Sequence, residues 1–409
     1  MRLFPREAVK ATKDLLRLFP VVAVIGARQA GKTTLCSVVG DKWKQYDLER
    51  ESDYRLMQED PLFFLQQHPE RVIIDEAQEL PSLFPALRVA VDAHRGKRGR
   101  YLITGSSSPD LLSSIAETLA GRIGVLELPT LKATEAWRKK KSSLYRVLSG
   151  KIDRTALESL RPVCSRKELF ESWLYGGYPE PFQVRGKKDY YLWMDNYRST
   201  YLQRDIRRLF PRLDHSAFRT FLGMLARMSG TIINYAEVAR ALSVSQPTVR
   251  EYIDIAHGTF LWRKLEPFSR DAFQRITKMP KGHFRDSGLL HFLLNIDSPD
   301  ELAQDPIVGR SWEGFIAEEL LKGFTLQLIP HQPYYYRTSH GGEIDLILES
   351  RFGLLPIEIK YGTVVGPQTL RTIKEFISHH RHQLGLVINN ASRVEWLADK
   401  ILQVPATFI

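Results

Sequence analysis

Ile25-Gly26-Ala27-Arg28-Gln29-Ala30-Gly31-Lys32-Thr33-Thr34, directly after the apolar run Pro20 to Ile25, has the pattern G-x-x-x-x-G-K-[ST]. This spacing predicts a strand, a phosphate-binding loop and a helix. The glycines let the backbone curl so that successive amides and the helix N-terminus face a nucleotide's phosphates. Gly26, Arg28, Gln29, Ala30 and Gly31, with Lys32, Thr33 and Thr34 at the helix start, form the expected cradle for ATP. Lys32 is expected to reach the β- and γ-phosphates, and the Thr33 hydroxyl to ligate Mg²⁺.

Two further runs fit that chemistry. Arg71-Val72-Ile73-Ile74-Asp75-Glu76 is apolar, short enough for a buried parallel strand, and ends in two carboxylates. Following the loop by about forty residues, it reads as a hydrolysis site in which Asp75 holds Mg²⁺ through water and Glu76 orients and polarises the attacking water. A third strand, Arg100 to Thr104, continues into Gly105-Ser106-Ser107-Ser108, where Ser106 is the expected sensor of the γ-phosphate. Gly121-Arg122 precedes the apolar run Ile123 to Leu128. Arg122 is either a surface charge at a strand start or an arginine finger for a neighbouring subunit's site, which requires an oligomer.

Gly-Ala-Arg-Gln-x-Gly-Lys-Thr-Thr-Leu, Ile-Ile-Asp-Glu-Ala-Gln, Leu-Ile-Thr-Gly-Ser-Ser-Ser and Leu-Ala-Gly-Arg, in this order, resemble a family of prokaryotic AAA+ ATPases. Members of that family carry a C-terminal region described as a domain of unknown function. The resemblance extends over nearly the whole chain through Tyr175-Gly176-Gly177-Tyr178-Pro179 and the Tyr201 to Ile206 segment. Arg122 acting on a neighbouring site would imply a ring-shaped homo-oligomer, expected to be a hexamer. Where members commonly have Glu before Arg-Asp, this chain has Gln203, so that position is given no carboxylate role.

With 409 residues, 43% of them hydrophobic and 26% charged, the chain is long enough for two or three domains and is not a disordered tail. A net charge of +11 is consistent with a nucleic-acid partner, because a basic surface concentrates the phosphate backbone around it. The two cysteines, Cys36 and Cys164, make neither a disulfide framework nor a zinc site. No stretch approaches the roughly twenty apolar residues that span a bilayer, and the N-terminus lacks an apolar signal core, so a cytoplasmic protein without a membrane partner is expected.

From Pro129 the alternation of strands and helices stops, and Arg138-Lys139-Lys140-Lys141 marks a basic break. Helical patterns from Arg166 to Tyr175 and Tyr190 to Leu209 fit a lid, from which Arg204 or Arg207 could reach nucleotide. Further on, Tyr235 to Leu242, the turn Ser243-Val244-Ser245 and Gln246 to Ile253, with Pro247 near the first helical position, read as a helix-turn-helix. Thr259 to Leu265 could add the strand of a wing. Gln246, Thr248 and Arg250 are the expected DNA contacts; the alternative is a winged helix used for packing.

A second constellation follows. Gly342-Glu343-Ile344-Asp345 and, across a turn, Ile357-Glu358-Ile359-Lys360 give Asp followed by Glu-x-Lys on the next strand, the arrangement of restriction-endonuclease-like folds. The family resembled ends in such a core. Asp345 and Glu358 would be the metal ligands and Lys360 would activate water, with Glu318 or Glu313 adding a carboxylate from the preceding helix. The alternative is a pair of amphipathic strands with charged outer faces.

The expected architecture is α/β: a P-loop AAA+ core over residues 1–135, a helical lid over 136–215, a winged helix over 216–300 and a restriction-endonuclease-like domain over 301–409. The expected function is an ATP- and Mg²⁺-dependent motor that remodels or translocates on DNA, including branched or forked DNA. An ATP-regulated Mg²⁺-dependent endonuclease and a nucleotide-switched protein-binding scaffold are the alternatives.

Overall fold

The structure, a computed structural model, describes residues 3–106, 115, 117–150, 152–201, 206–269, 279–338 and 341–409, with the backbone alone at 106 and 208. The chain forms two compact units, residues 1–130 with 258–260, and residues 131–257 with 261–409. The first ends five residues before the expected limit of the core. The segments expected as lid, helix-turn-helix and C-terminal domain all lie in the second.

In the first unit, β1 (Val21–Gly26), β2 (Lys44–Asp47), β3 (Val72–Asp75), β4 (Tyr101–Ser106) and β5 (Ile123–Glu127) make a five-stranded sheet among the described residues, in the order β2-β3-β4-β1-β5. Every pair is parallel. Parallel strands need helices on both faces, which is why β1 and β3 are apolar without alternation and buried along their whole length. Val21, Ala23 and Ile25 share a core with Val72, Ile74, Tyr101 and Ile103, covered by Phe84 and Leu87 of the Leu83–Asp92 helix. Because β4 lies between β1 and β3, the carboxyl end of β4 falls between the phosphate loop and Asp75. A crevice at the carboxyl ends of such strands is where ligands bind in open α/β sheets.

In the second unit, β6 (Thr231–Ile232), β7 (Trp262–Pro267), β8 (Lys281–Phe284), β9 (His331–Arg337), β10 (Glu343–Ser350), β11 (Gly353–Ile359), β12 (Gly385–Asn389), β13 (Glu395–Ala398) and β14 (Ile401–Pro405) form one sheet of nine described strands. Its order is β13-β14-β12-β11-β10-β9-β7-β8-β6. β6, β8 and β7 pair antiparallel, and β7 then pairs parallel with β9, Glu266 opposite Tyr334. β9, β10 and β11 are antiparallel neighbours, whereas β11 and β12 run parallel, joined by the Pro367–His380 helix.

The Tyr-Gly-Gly-Tyr-Pro stretch has a packing reason. Gly176 ends the Arg166–Tyr175 helix at φ +71°, and a Cβ there would lie 2.1 Å from Asp286 Oδ1. Asp286 caps the Ser287–Leu294 helix by accepting from Leu289 N at 3.0 Å, and its other oxygen accepts from Gly177 N at 2.8 Å. Only glycine allows the two helix ends to approach so closely.

Beside this contact His291 is buried. Its Nδ1 lies 2.9 Å from Leu174 O, and its Nε2 lies 2.7 Å from Ser311 Oγ, which also accepts from Trp173 Nε1. Burial pushes the imidazole down to about 4, because the charged ring would be desolvated. A folded-state value below the unfolded one means that the neutral ring's contribution is present above about pH 6.5 and is lost as pH falls toward 4, by up to about 3 kcal/mol. Urea unfolding between pH 7.5 and 4 should show that loss. His291→Gln, which keeps one donor and one acceptor, should flatten it; an equal slope in the variant would refute the assignment.

Candidate functional sites

The loop after β1 is formed by backbone that few residues tolerate. Gly26 has φ +152°, Gln29 +61° and Gly31 +93°. A Cβ on Gly26 would lie 2.3 Å from Leu128 O, so the chain passes there without room for a side chain. Arg6 fixes the loop from outside, donating to Ala30 O at 2.8 Å and to Pro129 O at 2.6 Å. Lys32 opens the Lys32–Val39 helix and is buried, its Nζ donating to Gly26 O at 3.1 Å and Ala27 O at 3.2 Å. Burial lowers its pKa, against the pull of Glu76 and Asp75. The ammonium is thus folded back onto carbonyls of the loop it would serve.

Thr33 Oγ1 donates to Asp75 Oδ2 at 2.7 Å, which places hydroxyl and carboxylate side by side at the end of β3. Asp75 Oδ1 accepts from Thr104 Oγ1, and the same hydroxyl accepts from Glu76 N at 3.3 Å. Glu76 itself is in the left-handed region at φ +51°, where the strand ends abruptly, and its Oε2 accepts from Gln78 Nε2 at 2.5 Å. The strand end therefore sends its two carboxylates in different directions, one into the Thr33–Thr104 pair and one beside Gln78. These groups fit a nucleotide with its divalent ion. Thr33 and Asp75 would hold Mg²⁺, Lys32 and the loop amides would hold phosphates, and Glu76 would take the proton of an attacking water. The bound ion would supply charge neutralisation for phosphoryl transfer.

Thr104 is the residue that sequence reading passed over. A hydroxyl inside the apolar run Tyr101-Leu102-Ile103-Thr104 was its only signal. The expected sensor, Ser106, lies at the end of β4, and its side chain, like Ser107, Ser108 and the lid candidate Arg204, is outside the described residues. Arg122 sits before β5, where its carbonyl accepts from Val21 N, at the amino ends of the strands, whereas the loop follows the carboxyl end of β1. Its guanidinium grips Asp92 with two bonds of 2.9 Å. Within its own subunit it is a strand-start charge; service to a neighbour would require release from Asp92.

The second unit brings Asp345, Glu358 and Lys360 together. Asp345 is the third residue of β10, and its Oδ2 accepts from Ile359 N at 2.8 Å, across to β11. Lys360 Nζ lies 2.5 Å from Glu358 Oε1 and 4.0 Å from Asp345 Oδ2. Glu358 is buried, and burial with the Asp345 charge pushes its carboxyl up to about 7.

Glu318 is a correction. It is not part of this centre: Arg263 grips it at 2.7 and 3.0 Å, Arg285 lies at 3.5 Å and His283 at 3.1 Å. The reason is helical geometry, since five residues rotate a side chain by about 140° from the face that carries Glu313. Glu313 faces the centre instead, 2.6 Å from Lys281 Nζ, which also lies 2.8 Å from Glu343 and 3.6 Å from Asp345. As arranged, the centre does not fit a divalent ion, because each of its carboxylates already turns one oxygen to an ammonium group.

The Tyr235–Leu242 helix is capped by Asn234 and ends at Ser243, φ +56°, before the Gln246–Gly258 helix. Gln246 and Arg250 are exposed, Thr248 is partly covered, and Val249 and Tyr252 point into the core. Ser245 Oγ accepts from Thr248 N at 3.3 Å and contacts its hydroxyl at 2.8 Å, while Arg250 lies over the Tyr235 ring at 5.1 Å. Among the described residues no helix is long and apolar enough to cross a membrane.

Loop, Thr33–Asp75 pair and parallel sheet define the class of the first unit, and a match to the family described as "AAA domain" covers residues 18–137. It is an AAA-type P-loop ATPase domain. Residues 166–300 match "Domain of unknown function (DUF8612)" and residues 308–409 match "Domain of unknown function (DUF4143)". The chain belongs to the same family as an uncharacterized protein of Mycobacterium tuberculosis and one of Mycobacterium bovis, each 35% identical over 404 residues, 98% of this chain and 83% of theirs. A Walker-type ATPase of Pyrococcus abyssi shares 14% identity over 71% of this chain and 96% of its own, at a TM-score of 0.42, a likeness too slight to support more.

Proposed function

We propose that the protein is an ATP-hydrolysing motor that binds DNA and remodels or moves along it, working as a ring. The observation that carries the hydrolytic part is the Thr33–Asp75–Thr104 chain of hydrogen bonds with Glu76 beside it, a set with more parts than nucleotide binding alone requires. Support for DNA comes from the net charge of +11 and from the exposed Gln246 and Arg250 at the start of the second helix of a helix pair. The winged-helix reading is supported by the order of helix His215–Arg227, β6, the helix pair, β7 and β8. The restriction-endonuclease-like reading is supported by a helix, three antiparallel strands, a helix and a parallel strand, with Asp345 and the Glu358-Ile359-Lys360 triplet on neighbouring strands. The ring is a reading of Arg122 as an arginine finger that would serve the adjacent site.

ATP turnover should rise several-fold with one of three DNA forms, linear duplex, single strand or four-way junction, and Lys32→Ala should remove the response. Gels of the same reactions should show no cleavage. Hydrolysis indifferent to every DNA form would replace the motor with a nucleotide-switched scaffold for a protein partner. Mg²⁺-dependent cutting lost in Asp345→Ala and kept in Lys32→Ala would establish the endonuclease instead.

A further inference from the structure

Lys281 is placed with unusual firmness for a lysine. It begins β8, the middle strand of its three, with Ile232 of β6 opposite on one side and Leu265 of β7 on the other, and only 4% of the residue is exposed. Its ammonium lies 2.6 Å from Glu313 on the Val308–Leu326 helix, 2.8 Å from Glu343 and 3.6 Å from Asp345, which share one face of β10. Asp345's other oxygen is taken by Ile359 N, and one Glu358 oxygen by Lys360. The second Glu358 oxygen is buried without a hydrogen-bond partner. Any divalent ion ligated by Glu313 or Glu343 would come within about 5 Å of the Lys281 nitrogen, like charge against like charge in a buried place. Among the described residues no three His, Cys, Asp or Glu side chains gather as a metal-binding group.

We propose that Lys281 is the resident cation of the acidic centre: it stands where a divalent ion would have to sit, so the folded chain takes none there, and its ion pairs fasten β8 to the Val308–Leu326 helix and to β10. This inference is independent of the motor reading, since it concerns a site that nucleotide turnover does not use. Removing the lysine side chain's charge should uncover a divalent-cation site made of Glu313, Glu343, Asp345 and Glu358.

The test is Mn²⁺ titration of the full chain without nucleotide, followed by the electron paramagnetic resonance of free Mn²⁺ and by thermal unfolding. Wild type and Asp345→Asn should give the same titration, since ions at Thr33 and Asp75 are common to both. Lys281→Gln should gain a site at least about tenfold tighter than any in wild type. That site should raise the unfolding temperature and disappear in Lys281→Gln/Asp345→Asn. Wild-type Mn²⁺ binding that is lost in Asp345→Asn overturns the proposal, as does a folded Lys281→Gln that gains none. If Lys281→Gln does not fold, the wild-type and Asp345→Asn titrations still decide it.

Discussion

Glu76→Gln is expected to slow ATP hydrolysis by about a thousandfold while leaving nucleotide binding within a few-fold of wild type. The amide keeps the size and the contact with Gln78 Nε2, which can still donate to a carbonyl oxygen at that position. What it removes is the basicity that draws a proton from the attacking water. Thr33, Asp75 and Lys32, which would hold ion and phosphates, are untouched, so affinity and turnover separate. A fluorescent ATP analogue titrated into both proteins, beside single-turnover hydrolysis, measures the split. Turnover within threefold of wild type would remove Glu76 from the chemistry and leave its left-handed backbone without a functional explanation.

Glu318→Ala is expected to destabilise the second unit by about 3–5 kcal/mol, read as a fall in the urea midpoint. Glu318 is 2% exposed and faces Arg263, Arg285 and His283, drawn from two strands and the chain after them. Deleting the carboxylate removes an anion that both guanidinium groups and His283 face in a buried place, a cost far above the net worth of the pair. Those arginine contacts hold the Glu318 carboxyl well below the usual carboxylate range although burial acts the other way, so the interaction persists into acid solution. A shift smaller than about 1 kcal/mol would mean that the arginines find other acceptors when Glu318 is gone.

Glu318 also marks the limit of what the sequence made legible. The loop, Asp75 and Glu76 could be read because each lies in a contiguous pattern whose spacing is imposed by the ligand. Asp345, Glu358 and Lys360 could be read because they occupy neighbouring strands joined by a short turn. Glu313 and Glu318 on one helix could not be told apart, since which face meets the strands depends on what else packs there. Thr104 and Lys281 were further out of reach. Thr104 matters because β4 is inserted between β1 and β3, and Lys281 because the order of the nine-stranded sheet brings Glu343 and Asp345, far along the chain, to its ammonium. Both are consequences of strand order, which local periodicity does not encode.

The β7–β9 pairing has a practical consequence for anyone dividing this chain. A shortened protein ending near residue 300 would look tidy on paper, since a boundary in sequence similarity lies close by. It would instead bare one side of β7, where Glu266 and Pro267 now meet Tyr334 and Tyr335, and leave an open row of amides and carbonyls ready to recruit another molecule's strand. Such a fragment should clump. The same continuity joins the strand that follows the helix pair to the sheet that carries Asp345, so neither can be cut away without opening the other's hydrogen-bonded edge.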